Sequence, residues 1–176
     1  IVQHMKDIKP AVMIVGGLFD AEDLYGPFNI YKSIEENSDN HNMIVFGPWS
    51  HGDWARESGR QSVGNVYFGD SISTHFQRDY ETEFFNHFLK KKTKDALRLP
   101  EAHIYDTGAR QWNDYTEWPP KNTNEKTWYL GANEQLSETA SDHEETFVSD
   151  PAKSVSYNNE IKMVFTPREY MSGDQR

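Results

Sequence analysis

The sequence predicts an α/β fold followed by an all-β part. Two short apolar runs, residues 12–15 and 43–46, each stop at a glycine, and a stretch with helical periodicity lies between them. Strand, helix and strand at this spacing predict a βαβ unit with two parallel strands. After residue 100 the apolar pattern changes to period two, which is typical of short β-strands. We therefore predict two domains, residues 1–95 and residues 96–176.

Composition restricts the function before any motif is considered. The chain has 176 residues, of which 36% are hydrophobic and 14% aromatic, enough to build a core. Its 18 Lys and Arg residues against 28 Asp and Glu give a net charge of −10, which argues against nucleic acid or an anionic membrane as a partner. The absence of cysteine excludes disulfides and thiolate chemistry. The acidic composition fits a soluble enzyme and a binding domain equally well.

The first strand and helix follow from their apolar positions. Residues 11–15 are apolar without alternation, which predicts a strand buried on both faces. A helix is predicted over about residues 22–37, and Glu22 and Asp23 would lie at its N-terminus, where negative charge is favourable. Its apolar stripe consists of Leu24, Phe28, Tyr31 and Ile34.

The second strand and helix bracket a glycine-rich stretch. Residues 43–46 predict another buried strand. Residues 52–70 contain four glycines among polar residues and predict a long irregular segment of the kind that shapes a site. A long helix is predicted over residues 71–92, because apolar side chains recur every four residues, at Ile72, Phe76, Tyr80, Phe84 and Phe88.

The later part of the chain predicts short strands and exposed turns. Strands are expected at residues 102–105, 112–115, 127–130 and 162–165. Residues 133–150 are acidic and polar, which predicts turns and an edge strand.

Asp20 and His51 each follow one of the two predicted parallel strands. Parallel strands joined by a helix end at the same edge of a sheet, where open α/β folds place their sites. A carboxylate beside an imidazole suits general-base catalysis. The nucleophile motif G-x-S-x-G is absent from the chain. The alternative is structural, with Asp20 as a helix cap and His51 as a loop hydrogen bonder.

Five motifs of the chain are distinctive: residues 16–26 (GGLFDAEDLYG), 47–52 (GPWSHG), 100–102 (PEA), Trp112 and 118–120 (WPP). Together they resemble the C-terminal half of the bacterial α-amino acid ester hydrolases, which belong with the glutaryl-cephalosporin acylases, cocaine esterase and the X-prolyl dipeptidyl aminopeptidases. The resemblance implies the C-terminal part of an α/β-hydrolase sheet followed by an incomplete jelly-roll domain, with Asp20 as the triad aspartate and His51 as the triad histidine.

The resemblance also implies a substrate site. Glu22 and Asp23 match carboxylates that bind the α-ammonium group of the substrate, and an ammonium entering a partly desolvated pocket needs such compensation. Their alternative role is favourable charge at a helix start. Trp49 and Trp54 flank His51 and are predicted to wall the pocket, with plain packing as the alternative.

The implied function is that of a serine hydrolase that cleaves esters or amides of α-amino acids through an acyl-enzyme, with β-lactam antibiotics among the candidate substrates. Ile1 is not a natural start, so the chain is expected to be a fragment that lacks the serine and the oxyanion-hole tyrosine and is inactive alone. No cofactor is expected, and the remaining histidines lack metal-ligand spacing. The resemblance implies a periplasmic or secreted parent protein that forms a homo-oligomer.

Other functions stay open at this point. The alternative from another class is a non-catalytic β-sandwich that binds a ligand. Within the family the alternatives are an X-prolyl dipeptidyl peptidase and a glutaryl-cephalosporin acylase.

Overall fold

The computed structural model describes residues 2–56, 60–63, 66–90, 97–133, 135–142, 144 and 146–153. The described strands are β1 (Val12–Gly17), β2 (Asn42–Gly47), β3 (Arg60–Val63), β4 (Val66–Asp70), β5 (Ala102–Asp106), β6 (Gln111–Tyr115), β7 (Tyr129–Leu130) and β8 (Leu136–Ser137). The α-helices are α1 (Tyr25–Asn37), α2 (Asp53–Arg56), α3 (Ile72–His75) and α4 (Thr82–Phe85), and π-helical segments at Phe76–Glu81 and Asn86–Lys90 make residues 72–90 one continuous helix. Short 3₁₀ turns lie at Val2–His4 and Pro151–Lys153.

The predicted βαβ unit is confirmed. Strands β1 and β2 pair in parallel, in unbroken register from Val12 opposite Asn42 to Gly17 opposite Gly47. Helix α1 connects them. The two strands therefore end side by side, and the loops that follow them start from neighbouring positions.

The sheet continues beyond the βαβ unit. Its strand order is β1-β2-β5-β6, with β5 parallel to β2 and β6 antiparallel to β5. The division near residue 95 stays a prediction, but the first two strands after it extend the same sheet. Their apolar pattern gave no sign of this, because the partner of β5 lies more than fifty residues earlier, at Ile44 to Phe46.

Both faces of the sheet are covered. All six residues of β2 are buried, as expected for a central parallel strand. Met43 and Val45 pack on one face with the helix of residues 72–90, whereas Ile44 and Phe46 pack on the other face with α1. The mixed sheet thus lies between two helical layers. No helix in the described ranges is long and apolar enough to cross a membrane.

Gly17 allows the two loops at the end of this sheet to approach. A Cβ at Gly17 would lie 2.2 Å from the backbone oxygen of Trp49. The loop after β2 therefore passes directly over the end of β1, at a distance that no side chain would permit.

The helices agree with the predictions except at one boundary. The long helix predicted over residues 71–92 is observed over residues 72–90. Helix α1 begins at Tyr25 instead of near residue 22. The reason is that the Asp20 carboxylate accepts the backbone N–H groups of Glu22 and Asp23 and holds them in a turn before the helix.

The glycine-rich stretch is more regular than predicted. Helix α2 and the antiparallel hairpin β3–β4 lie within it. The strand predicted at residues 127–130 is shorter and pairs as β7 with β8, which agrees with the expected edge strand among exposed turns. The strand predicted at residues 162–165 lies outside the described residues.

Candidate active site

The loops after β1 and β2 are tied to each other as well as to the sheet. Leu18 donates its N–H to the Gly47 carbonyl at 2.9 Å, and Phe19 donates to the Trp49 carbonyl at 3.0 Å. The parallel pairing thus continues for two residues past the strands. Asp20 and His51 follow directly, so the backbone brings these two residues together.

The Asp20 carboxylate binds the His51 imidazole. Nδ1 of His51 lies 3.0 Å from Oδ2 and 3.2 Å from Oδ1 of Asp20. The Asp20 side chain is 3% exposed and that of His51 is 49% exposed. Because a carboxylate only accepts, Nδ1 carries the proton and Nε2 is left on the open side of the ring. The predicted contact is present, and the catalytic roles remain a proposal.

Asp20 also shapes its own loop. Oδ1 accepts hydrogen bonds from the N–H groups of Glu22 at 2.9 Å and Asp23 at 3.2 Å. The buried carboxylate is therefore compensated on one side by backbone and on the other by imidazole. The structural alternative is partly correct, because Asp20 stabilises a turn, but this role and contact with His51 coexist.

The two candidate substrate carboxylates differ in their surroundings. Oε2 of Glu22 lies 3.9 Å from Nε2 of His51, and the Glu22 side chain is 47% exposed. Asp23 is also exposed, but its Oδ1 accepts the N–H of Gly26 at 2.7 Å in the first turn of α1. Glu22 therefore faces the open nitrogen of His51, whereas Asp23 is partly committed to the helix start.

The two tryptophans beside His51 also differ in their surroundings. Trp49 is 0% exposed and donates its indole N–H to Ser73 at 2.8 Å, which agrees with the packing alternative, and its pocket role stays a prediction. Its ring turns inward after Gly47-Pro48 and packs in the core. Trp54 is half-buried, and its ring lies edge-on to His51 with centroids 6.2 Å apart. Only Trp54 of this pair borders the imidazole.

A buried carboxylate that the sequence analysis missed supports the histidine loop. Asp53 is 3% exposed, and its Oδ2 accepts both the hydroxyl of Ser50 at 2.7 Å and the Ser50 N–H at 3.2 Å. In return the Asp53 N–H donates to the Ser50 carbonyl. These bonds close the loop around His51. The signal in the sequence is the Ser-x-x-Asp spacing, which is typical of a helix start.

His103 is the most enclosed of the histidines in the described part of the chain. It is 2% exposed, its ring is stacked between Tyr80 and Trp112, and Nδ1 donates to Asp114. Nε2 has no hydrogen-bond partner among the described residues. Burial therefore lowers the pKa of His103 to about 4, against the opposing effect of Asp114. Within the same residues no group of three or more His, Asp or Glu is arranged to hold a metal.

Comparisons with known proteins give the class. Residues 95–170 match the family described as the X-Pro dipeptidyl-peptidase C-terminal non-catalytic domain. Cocaine esterase from Rhodococcus sp. (strain MB1 Bresler) is 25% identical over 101 residues, which cover 57% of this chain and 17% of the esterase. Asp20 and His51 lie outside the family match.

Two solved structures are similar over most of this chain. One is an aminopeptidase from the marine sediment archaeon Thaumarchaeota archaeon, with a TM-score of 0.75 and 32% identity over 96% of this chain and 27% of that one. The other is an α-amino acid ester hydrolase, with a TM-score of 0.75 and 27% identity over 89% of this chain and 27% of that one. The chain thus spans about a quarter or less of these relatives.

The sheet is mixed and carries an Asp–His pair at its carboxyl edge. The relatives are an esterase, an aminopeptidase and an ester hydrolase. Together these findings define the class of the chain as hydrolase-related. Within that class, the chain is similar to the X-Pro dipeptidyl peptidases, through residues 95–170, and to cocaine esterase.

Proposed function

We propose that this chain supplies the general base and its orienting carboxylate to a serine-type hydrolase of α-amino acid esters or amides. The observation that carries the proposal is the contact between buried Asp20 and half-exposed His51. Two relatives support the substrate class by name, since one is an aminopeptidase and the other an α-amino acid ester hydrolase.

The geometry suits proton transfer at one nitrogen. Because Asp20 holds the proton on Nδ1, the lone pair on Nε2 of His51 can accept the proton of an attacking hydroxyl. The buried carboxylate stabilises the imidazolium that forms, and Nε2 then returns the proton to the leaving group as the acyl-enzyme appears. Water repeats the sequence and releases the acid.

The nucleophile is proposed to come from elsewhere in the enzyme. Among the described residues no serine hydroxyl is hydrogen-bonded to His51, and the neighbouring Ser50 donates to Asp53. Without a nucleophile and oxyanion donors the chain should not catalyse the reaction by itself.

Glu22 supports the choice of an α-amino substrate. The α-ammonium is two bonds from the carbonyl carbon that the nucleophile attacks, so it must lie near Nε2 of His51. The Glu22 carboxylate is 3.9 Å from that nitrogen and would attract an ammonium there. Asp23, the next residue along the chain, adds negative charge at the same loop.

Other activities in the family are separable by charge. A glutaryl group would bring a carboxylate towards Glu22, which would repel it, so an acylase for anionic side chains is disfavoured. An X-prolyl dipeptidyl peptidase also accepts an ammonium, but one residue farther from the bond that is cut. A non-catalytic ligand-binding role is the second candidate, because the matched family description, for residues 95–170, is non-catalytic.

Trapping of the acyl-enzyme tests the proposal. The full-length protein is quenched during turnover of a phenylglycine ester and examined by mass spectrometry. We expect the mass of one acyl group on a serine, and no such adduct in His51→Ala. A folded protein that neither hydrolyses the ester nor acquires an adduct would contradict the proposal, and hydrolysis of an X-Pro anilide alone would move the activity to the peptidase branch.

A further inference from the structure

A cavity lies among β4, α3, β5 and the start of β6. Its volume is about 340 Å³, and its lining includes neither Asp20, Glu22 nor His51. This volume is at the lower end of the range for small-molecule sites and matches one small metabolite. The cavity is separated from the Asp20 loop by Phe68, whose ring packs against that of Phe19.

Two opposite charges line this cavity. Asp70 and Arg110 are both exposed and both contribute to the lining. They do not pair with each other within 4.0 Å, and neither pairs with another residue whose side chain the structure describes. A guanidinium offers a fork of donors that fits a carboxylate, and a carboxylate attracts an ammonium.

The backbone holds both residues in uncommon conformations. Arg110 has φ 56°, and Ser71, next to Asp70, has φ 60°. The described residues include four non-glycine positions with φ in the left-handed region, and two of these line this one cavity. Such conformations cost free energy and gather at binding sites more often than elsewhere.

Part of the remaining wall is aromatic and firmly packed, and His75 and Gln111 also line the cavity. The Tyr105 hydroxyl donates to the Phe68 carbonyl at 2.7 Å, and the rings of Tyr105 and Trp112 meet edge to face at 5.2 Å. These side chains offer an apolar surface beside the two charges. The wall is therefore suited to an apolar side chain of a ligand.

We infer that this cavity binds a free α-amino acid with an apolar side chain. In such a zwitterion the carboxylate and the ammonium share one carbon, so one ligand can meet both Arg110 and Asp70, which do not pair with each other within 4.0 Å. The inference stands apart from the proposed function, because it uses none of the residues around His51.

Binding of L-phenylalanine to the full-length protein, measured by isothermal titration calorimetry, tests the inference. Phenethylamine, which lacks the carboxylate, and 3-phenylpropionate, which lacks the ammonium, are measured beside it. We expect each analogue to bind roughly fivefold more weakly, as for loss of one solvent-exposed ion pair. Equal affinity of L-phenylalanine and 3-phenylpropionate, or no binding of L-phenylalanine, would overturn the inference, and neither comparison depends on a variant.

Variants locate the binding. Arg110→Gln and Asp70→Asn should each weaken L-phenylalanine binding by roughly fivefold. Arg98→Gln and Asp39→Asn remove the same charges at exposed positions outside the lining and should leave it unchanged. Glu22→Gln should leave unchanged the binding that Arg110→Gln weakens, whereas loss of all binding in Glu22→Gln alone would place the amino acid at His51 and overturn the inference.

Discussion

Glu22 places a carboxylate oxygen 3.9 Å from Nε2 of His51, the nitrogen opposite the one that Asp20 binds. The imidazole therefore has a buried carboxylate on one side and a half-exposed one on the other. If the first orients the base, the second is positioned to choose which substrates reach it.

Removing charge at Glu22 and Asp23 should change selectivity. In the double variant Glu22→Gln, Asp23→Asn, we expect kcat/KM for α-amino esters to fall roughly 5- to 30-fold relative to des-amino esters of the same acyl chain. This corresponds to a loss of about 1–2 kcal/mol of transition-state binding free energy. The small value follows from the exposure of both side chains. The ratio of the two kcat/KM values is the measurement. Equal losses for both esters would mean that the carboxylates only support the turn before α1.

Substitution of the Asp–His pair should abolish turnover without unfolding the chain. Asp20→Asn retains an oxygen that can accept the N–H groups of Glu22 and Asp23, but its amide N–H₂ would face Nδ1 and favour the wrong tautomer of His51. We expect kcat of the full-length enzyme to fall by about 10⁴-fold in Asp20→Asn and by a similar amount in His51→Ala. Circular dichroism checks the fold, and a near-normal kcat in either variant would refute the assignment.

Asp53 should matter through the loop that it closes. Hydrogen bonds to a charged group contribute about 1.5–3 kcal/mol each, and Asp53 accepts two from Ser50. Asp53→Ala should therefore lower the free energy of unfolding by about 3 kcal/mol, the lower end of their sum, and reduce kcat more than it changes KM. Denaturant unfolding and steady-state kinetics measure these effects. The exposed Asp39→Asn is the control, and an unchanged kcat in Asp53→Ala would show that His51 is held without this loop.

His103 should make stability depend on pH. Its pKa is lowered by burial to about 4, whereas the unfolded chain protonates near an ordinary value of about 6.5. Protons then favour the unfolded state, so the free energy of unfolding should decrease as pH falls from about 6.5 to about 4, by up to about 1.4 kcal/mol per pH unit. Above about pH 6.5 His103 should contribute no slope.

Urea unfolding across this pH range gives the measurement. His103→Gln can keep a bond to Asp114 but cannot titrate, so the difference between the wild type and this variant isolates the effect. His4→Gln, at an exposed position, should retain the wild-type slope. Parallel curves for the wild type and His103→Gln would show that other groups cause the pH dependence.

The contact between Asp20 and His51 could be predicted because it follows from local patterns. Each residue lies a few positions beyond an apolar run, and parallel strands in register end together. The burial of Trp49 could not be predicted in the same way, since its neighbour His51 is half-exposed and a sequence gives no direction for a ring after a turn.

Contacts between distant segments of the chain could not be predicted from the sequence either. The pairing of β5 with β2, and the cavity shared by Asp70 and Arg110, each join segments far apart in the chain. Neither leaves a periodic signal in the sequence. The hairpin β3–β4 was missed because Arg60, Gln61 and Ser62 show no alternation of apolar and polar residues.

The close passage of the Trp49 backbone over Gly17 has a consequence for sequence variation. The atom that a substitution would collide with belongs to the main chain, so no rearrangement of a flexible side chain can relieve it. Natural or laboratory variation of this loop can therefore change the exposed side chains of Glu22 and Asp23, while position 17 accepts only glycine, which has no Cβ. Variants with a new substrate preference at this site must therefore retain Gly17.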